Sequence, residues 1–362
     1  MDLLLTEPQS LFAETATRLC ADHGGPKRLR ALRAASAEID AEAWRAMIDA
    51  GWLATVVNES HGGHGLGAFD LALALEQVGR QLLLVPLNEV VAVACTLSRV
   101  SDSERTEAAL AELLRGARLI VPATATQGAA ELVYDRRAGV LDGTISFVAY
   151  AGAADAFLVA LESILALVPR GDVAIVSERN VDGSTASRLT FTKTYVPAEN
   201  VLATGAEAKR LATQLHELLA LGAAIELVGL AAAALDVTLD YVKLRQQFGK
   251  PIGSFQVLQH RAVNGFIDIE LNRSLVYRVL AAFDAGEHHP AMVSATKARA
   301  SRAALQITRD ALQMHGAIGY TEEHDIGLYY KRAMVLAAQY GGELGHTGRF
   351  SALTLEPMGA SP

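Results

Sequence analysis

The chain is short of cysteine: two in 362 residues, Cys20 and Cys95. They have no metal-ligand spacing and make no disulfide framework, which suits a reducing, cytoplasmic compartment. Basic residues are also scarce. Thirty-two Lys and Arg against forty Asp and Glu leave a net charge of −8, so nothing indicates a nucleic-acid surface. The first residues, Met-Asp-Leu-Leu-Leu-Thr-Glu-Pro, lack the basic region of a secretory signal. No apolar stretch is expected to cross a membrane uninterrupted; the Ala-rich run 218–235 contains Glu226 and reads as a buried bundle helix. No internal repeat and no low-complexity linker occur.

What is present is apolar: 51% of the residues are hydrophobic, enough for a large helical core. Residues 1–118 carry helical patterns, starting after Thr6-Glu7-Pro8 and recurring over 41–50, 69–78, 85–97 and 103–114. Residues 61–67 form a glycine loop containing His61 and His64. Residues 119–205 change to β-branched runs and turn signals, with strands expected over 119–121, 140–145, 156–161, 172–177 and 188–191. From 206 to 362 the helical period returns. Helices are predicted over 207–243, 255–285, 290–315 and 323–340, the lengths of an antiparallel four-helix bundle. The predicted class is α+β: an N-terminal helical domain, a small middle β domain and a C-terminal bundle.

One run stands out between two of those helices: Arg245-Gln246-Gln247-Phe248-Gly249-Lys250-Pro251-Ile252-Gly253-Ser254-Phe255-Gln256. Phe-Gly, Pro and a second Gly make a built turn. An Arg, side-chain amides and two aromatics on one turn can hold a flat, phosphate-bearing cofactor. The other reading is a plain interhelix turn with a solvated Arg.

This run resembles the flavin-binding segment of the acyl-CoA dehydrogenase family. The resemblance continues in Glu59–Gly65, in Asp142–Val148 followed by 154–159, in Val196–Leu202, and in Gln313-Met314-His315-Gly316-Ala317-Ile318-Gly319-Tyr320. It covers nearly the whole chain. It implies FAD as cofactor and α,β-desaturation of an acyl-CoA thioester, in which a carboxylate removes the α proton and the flavin accepts a hydride. An electron-transfer flavoprotein is the acceptor the family leads one to expect. By the same resemblance, Arg245, Gln247, Phe248, Phe255 and Gln256 reach the adenosine diphosphate end of a neighbouring subunit's FAD. Gln313, Gly316 and Ala317 let backbone approach it, and Phe147 packs on the flavin ring.

The departures from the family pattern matter as much. Phe147-Val148-Ala149 stands where many members have Trp-Ile-Thr, so the flavin-edge hydroxyl is missing. Thr124–Gly128 replaces the usual Thr-Glu and Gly-Ser-Asp stretch. The family's base falls at Tyr340 or Gly341 and its alternative position at Leu219, none of them acidic. Glu217 takes the place of the Asp in the family's Asp-x-x-Arg, whose Arg is Ala220 here. Glu343 and Glu226 remain as candidate bases. His260, His315 and His324 lie near matched motifs without metal-site spacing.

Three readings follow from this pattern. The first is a base-lacking subunit that shares FAD with a second acyl-CoA dehydrogenase chain in a hetero-oligomer, a type associated with bulky thioesters including steroid side chains. The second is a self-sufficient homo-oligomer using Glu343 or Glu226. The third is a non-catalytic structural subunit.

Overall fold

The computed structural model describes residues 5–100, 104–124 and 131–355. Elements run helical, then β, then helical along the chain, as the α+β expectation requires. They sort into two compact units. One holds residues up to 27, 72–82 and everything from 220; the other holds 28–71 and 83–219.

The second of these units is a β-sandwich with helices. Its helices are α2 (Pro26–Ala34), α3 (Ala41–Asp49), α5 (Leu87–Leu97) and α6 (Glu104–Leu114). One sheet comprises β1 (Ile120–Thr124), β4 (Ala156–Ala160), β5 (Ile164–Pro169) and β8 (Val201–Thr204), in that spatial order. In it β1 and β4 are parallel and the rest antiparallel. The other comprises β2 (Val133–Asp135), β3 (Val140–Ala149), β7 (Thr185–Tyr195) and β6 (Ala174–Arg179), in that order and all antiparallel. Val121, Phe157, Val159 and Ile164 of the first sheet meet Leu141, Ile145, Leu189 and Phe191 of the second in one core. β1 and β4 are buried along their whole length, and α5 packs against β1. A sheet covered on both faces reads as continuous apolar sequence, not as alternation. β5, buried over most of its length, and β8, half-buried throughout, were not expected from the sequence.

The other unit is helical: α1 (Glu7–His23), the last turns of α4 (Ala68–Arg80), the later part of α7 (Gly205–Leu244), and α8 (Gln256–Asp284), α9 (Pro290–His315), α10 (Ile326–Ala338) and α11 (Glu343–Thr354). Thr6 and Gln9 cap α1 reciprocally. α9 packs against α8, α10 and α11. The short α2 and α11 were not predicted. α7 holds an 18-residue window of mean hydropathy 2.2, so one stretch does reach spanning length; the window is 94% buried by the protein itself, as in a core helix. α4 crosses α7 with backbones in contact. A Cβ at Gly79 would lie 2.0 Å from the Glu226 carbonyl oxygen, and one at Gly229 1.9 Å from that of Glu76. Arg80 to Asp236 at 2.6 Å and Arg273 to Glu76 at 2.7 Å flank the crossing.

Candidate functional site

The turn between α7 and α8 is a β-hairpin. β9 (Gln246–Gln247) pairs antiparallel with β10 (Lys250–Pro251), Gln247 opposite Lys250. Phe248 and Gly249 form the two-residue loop, with φ of 53° and 77°. Two left-handed residues make a type I′ turn, which favours Asn-Gly. An aromatic there is strained by about 1–2 kcal/mol, and Phe248 is also 90% exposed. Strain and an exposed ring at one tip point to function over stability. Phe255 meets Phe248 edge-on at 6.1 Å, and the Lys250 ammonium lies 4.5 Å from the Phe255 centroid. At the hairpin's base, Arg245 N–H donates to the Tyr241 carbonyl and Ile252 N–H to the Arg245 carbonyl, both at 2.8 Å. Arg245, Gln247 and Gln256 are exposed. The turn foreseen from sequence is thus present, with a strand pairing too short to be read from residues.

Gln313, Gly316 and Ala317 sit at the end of α9. Gly316 has φ 67° and ψ −142°, and its N–H donates to the carbonyls of Leu312 and Gln313. Space beyond its Cα is open. This segment and the hairpin are joined by Tyr241, whose ring stacks on His315 with centroids 4.3 Å apart and whose hydroxyl donates to the His315 carbonyl at 3.3 Å. Tyr241 carried no signal in the sequence beyond lying one helical turn before Arg245. The donor set suits FAD's diphosphate and adenine: a guanidinium and amides for phosphate oxygens, aromatic faces, and backbone laid open by a glycine.

Phe147 belongs to the sandwich unit. The β3–β7 register shifts between Ile145 and Val148, and within this bulge Phe147 adopts φ 63° and is 63% exposed. A bulge re-aims a side chain, here outward. Ala149 pairs with Ala186. Of the Thr124–Gly128 stretch, Ala125–Gly128 lie outside the described residues.

The candidate acids differ in surroundings. Glu226 is buried, with Arg332 Nη2 3.4 Å from its carboxylate. Glu217 is buried too. The Leu219 carbonyl accepts from Asn88 Nδ2 of α5 at 3.1 Å. Glu343 lies past the end of α10 and opens α11. It borders a cavity of about 250 Å³ with Arg299, Arg302, Thr347 and Phe350.

The turn between α10 and α11 is tightly held. Tyr340 has φ 58° with its side chain buried, and Gly341 has φ 101°. Lys297, fully buried on α9, shares its three N–H groups among the carbonyls of Leu336, Ala337 and Gly341, each 3.1 Å from Nζ, and Ser301 Oγ at 3.0 Å. It therefore satisfies the free carbonyls ending α10. Burial pushes its pKa down to about 7. His346 Nε2 donates to the Tyr340 carbonyl at 2.9 Å, and burial lowers its pKa as well. A Cβ at Gly341 would lie 2.8 Å from His346 Nε2. Lys297 was missed because its sequence context is that of any helical lysine.

Residues 6–117 match the acyl-CoA dehydrogenase N-terminal domain and residues 210–343 the acyl-CoA dehydrogenase C-terminal domain. The acyl-CoA dehydrogenase IpdE2 of Mycolicibacterium smegmatis is 31% identical over 340 residues, covering 91% of this chain and 93% of the relative. The ChsE4-ChsE5 complex of Mycobacterium tuberculosis contains a chain with TM-score 0.89 and 26% identity, covering 99% of this chain and all of that one. A variant of the Tcur3481-Tcur3483 steroid ACAD follows with TM-score 0.86 and 26% identity, covering 96% and 97%. Helical, β and helical segments in that order, with the hairpin and the α9 terminus beside it, have the same explanation: this chain belongs to the acyl-CoA dehydrogenase family of FAD-dependent oxidoreductases.

Proposed function

We propose that this chain is the base-lacking subunit of a hetero-oligomeric acyl-CoA dehydrogenase, contributing FAD contacts to a site whose carboxylate comes from a second dehydrogenase chain. The observation that carries this reading is Gly341. With Tyr340 it is one of the two positions at which the family's base falls, and it has φ 101° with His346 in the space a side chain would need. The surroundings of Glu226, buried with its carboxylate beside the Arg332 guanidinium, support it, since that carboxylate already has a partner. FAD supplies the hydride acceptor when bound. The residues here that would hold the adenosine diphosphate end of a neighbouring subunit's FAD are Arg245 for the phosphates, Phe248 and Phe255 for the adenine, and Gln313 with the 316–317 backbone; Phe147 would pack on a flavin ring.

A partner chain also fits the surface. On α8, directly after the hairpin, Val263, Phe266, Ile267 and Leu271 form an exposed apolar stripe at helical spacing. Such a stripe is a protein–protein surface by preference. The substrate class in this reading is a bulky, steroid-derived acyl-CoA, supported by the steroid ACAD and the two-protein ChsE4-ChsE5 complex among the similar structures. Electrons would pass to an electron-transfer flavoprotein.

Expression alone and with the second chain tests the proposal. The expected result is a colourless or unstable protein alone and a yellow, active complex together. A yellow homo-oligomer whose flavin is reduced by acyl-CoA would overturn it. Glu343 favours a self-sufficient enzyme to the extent that it borders a cavity; loss of turnover in Glu343→Gln, with FAD retained, would select that second reading.

A further inference from the structure

Tyr241 is joined by its two ends to the two segments assigned above to the cofactor. Its backbone carbonyl accepts from Arg245 N–H at 2.8 Å, so it belongs to the last helical turn from which the hairpin springs. Its side chain leaves in another direction. The ring stacks on His315 at 4.3 Å and 24°, and the hydroxyl donates to the His315 carbonyl at 3.3 Å. That carbonyl belongs to the peptide leading into Gly316, the residue whose backbone turns outward. One residue thus touches the hairpin's root and the glycine turn's root.

The other side of the stack is equally fixed. His315 Nδ1 donates to the Ala311 carbonyl at 2.8 Å. His324 tilts against the same imidazole at 4.4 Å, and its Nδ1 accepts from Ile326 N–H, the first residue of α10, at 3.2 Å. The ends of α7 and α9 and the start of α10 therefore meet in three rings. His315 Nε2 is buried with no hydrogen-bond partner among the described residues. An orphaned polar atom in a native interior calls for an explanation. Here the ring is held by its Nδ1 bond to Ala311, by the stack on Tyr241 and by the His324 ring tilted against it at 57°.

We propose that Tyr241, through His315, is a positioning residue that sets the Gly316–Ala317 backbone in register with the Arg245–Gln256 hairpin, so that both meet the adenosine diphosphate portion of one FAD. This deepens the reading of those segments as cofactor contacts and rests on it. The residue acts through its neighbours and need not touch the nucleotide. Two elements that must bind one ligand together gain affinity from being fixed beforehand, because ordering them at the moment of binding is avoided.

The test uses the assembled protein, with its partner chain or as a homo-oligomer, stripped of flavin and titrated separately with FAD, ADP and riboflavin. Tyr241→Phe keeps the stack and loses one hydrogen bond; about fivefold weaker FAD binding is expected. Tyr241→Leu loses the stack too and should weaken FAD by roughly tenfold or more. ADP affinity should fall by the same factors and riboflavin affinity should not change, a split that general destabilisation would not produce. Unchanged FAD and ADP affinity in Tyr241→Phe and Tyr241→Leu refutes the proposal, as does an equal loss for riboflavin. If Tyr241→Leu fails to assemble, Tyr241→Phe decides alone. Arg245→Ala separates the two levels. If it too leaves FAD and ADP binding intact, the cofactor assignment of the hairpin is wrong; if only Arg245→Ala weakens them, the positioning role of Tyr241 is wrong.

Discussion

The substitution Gly341→Glu puts an acid at one of the two positions, Tyr340 and Gly341, to which the reading proposed above assigns the family's base, and the structure says what this costs. Gly341 has φ 101°, a conformation that costs a residue with a Cβ about 1–3 kcal/mol. The new Cβ would lie 2.8 Å from His346 Nε2 and 3.0 Å from its Cδ2. The imidazole must swing away, and its bond to the Tyr340 carbonyl goes with it, roughly 1 kcal/mol more. The sum is about 2–4 kcal/mol, which for a chain of this size lowers Tm by roughly 3–5 °C. Thermal unfolding of the assembled protein measures the first effect. Anaerobic titration with acyl-CoA, following flavin bleaching, measures whether a base has been regained. The expected outcome is a lower Tm and no bleaching that depends on the new acid. Adding His346→Ala should recover part of the strain. Suppose instead that Gly341→Glu leaves Tm unchanged and that its flavin is reduced by acyl-CoA without a partner chain. That result would refute the reasoning from backbone and space alike.

Lys297→Met should alter the pH dependence of stability. The amine sits at about 7 in the fold against an ordinary value of 10.5, so between those values the unfolded chain binds a proton that the native one does not. Stability from this residue is therefore absent below about pH 7 and rises toward pH 10, by roughly 3–5 kcal/mol at most; the variant should flatten that rise in urea titrations, and an unchanged slope would count against it. Arg332→Ala removes the guanidinium facing buried Glu226 and should cost about 3 kcal/mol, whereas Glu226→Gln in the assembled enzyme should retain turnover; loss of turnover there, with FAD bound, would make Glu226 a base after all. Phe248→Asn puts a residue suited to the turn at φ 53° and should stabilise the isolated chain by about 1 kcal/mol while lowering FAD retention in the assembly. Stronger flavin retention would contradict the role given to the ring.

Much of the fold was readable from residues, and the failures have specific causes. α1 announced itself by Thr6 and Pro8, and the structure closes that start with a reciprocal cap to Gln9. The hairpin's Phe-Gly, Pro and Gly marked a turn, but two residues on each side are too few for alternation to be seen. β5 is buried over nearly its whole length and shows no period of two, so only its apolar run marks it. α2 buries only Leu29 and α11 only His346, so neither carries the apolar stripe by which a helix is recognised. At the site, the aromatic and amide residues of the hairpin could be named in advance because they lie within one short run, Arg245 to Gln256. Tyr241 and Lys297 could not, since each looks like an ordinary helical residue until its partners on other helices are known.

Order along the chain, the non-acidic residues at 340, 341 and 219, and the residue types of the hairpin were therefore decided by the amino-acid sequence alone. They depend on residue type and on neighbours a few positions away. Tertiary structure alone decided which charges are buried, and against what: Lys297 on the carbonyl of Gly341, 44 positions on, and Glu226 beside Arg332, 106 positions on. It also filled the space above Gly341 with His346. The reason is that burial and hydrogen bonding of a charge are properties of the surface that closes over it, and that surface comes from helices far apart in the chain.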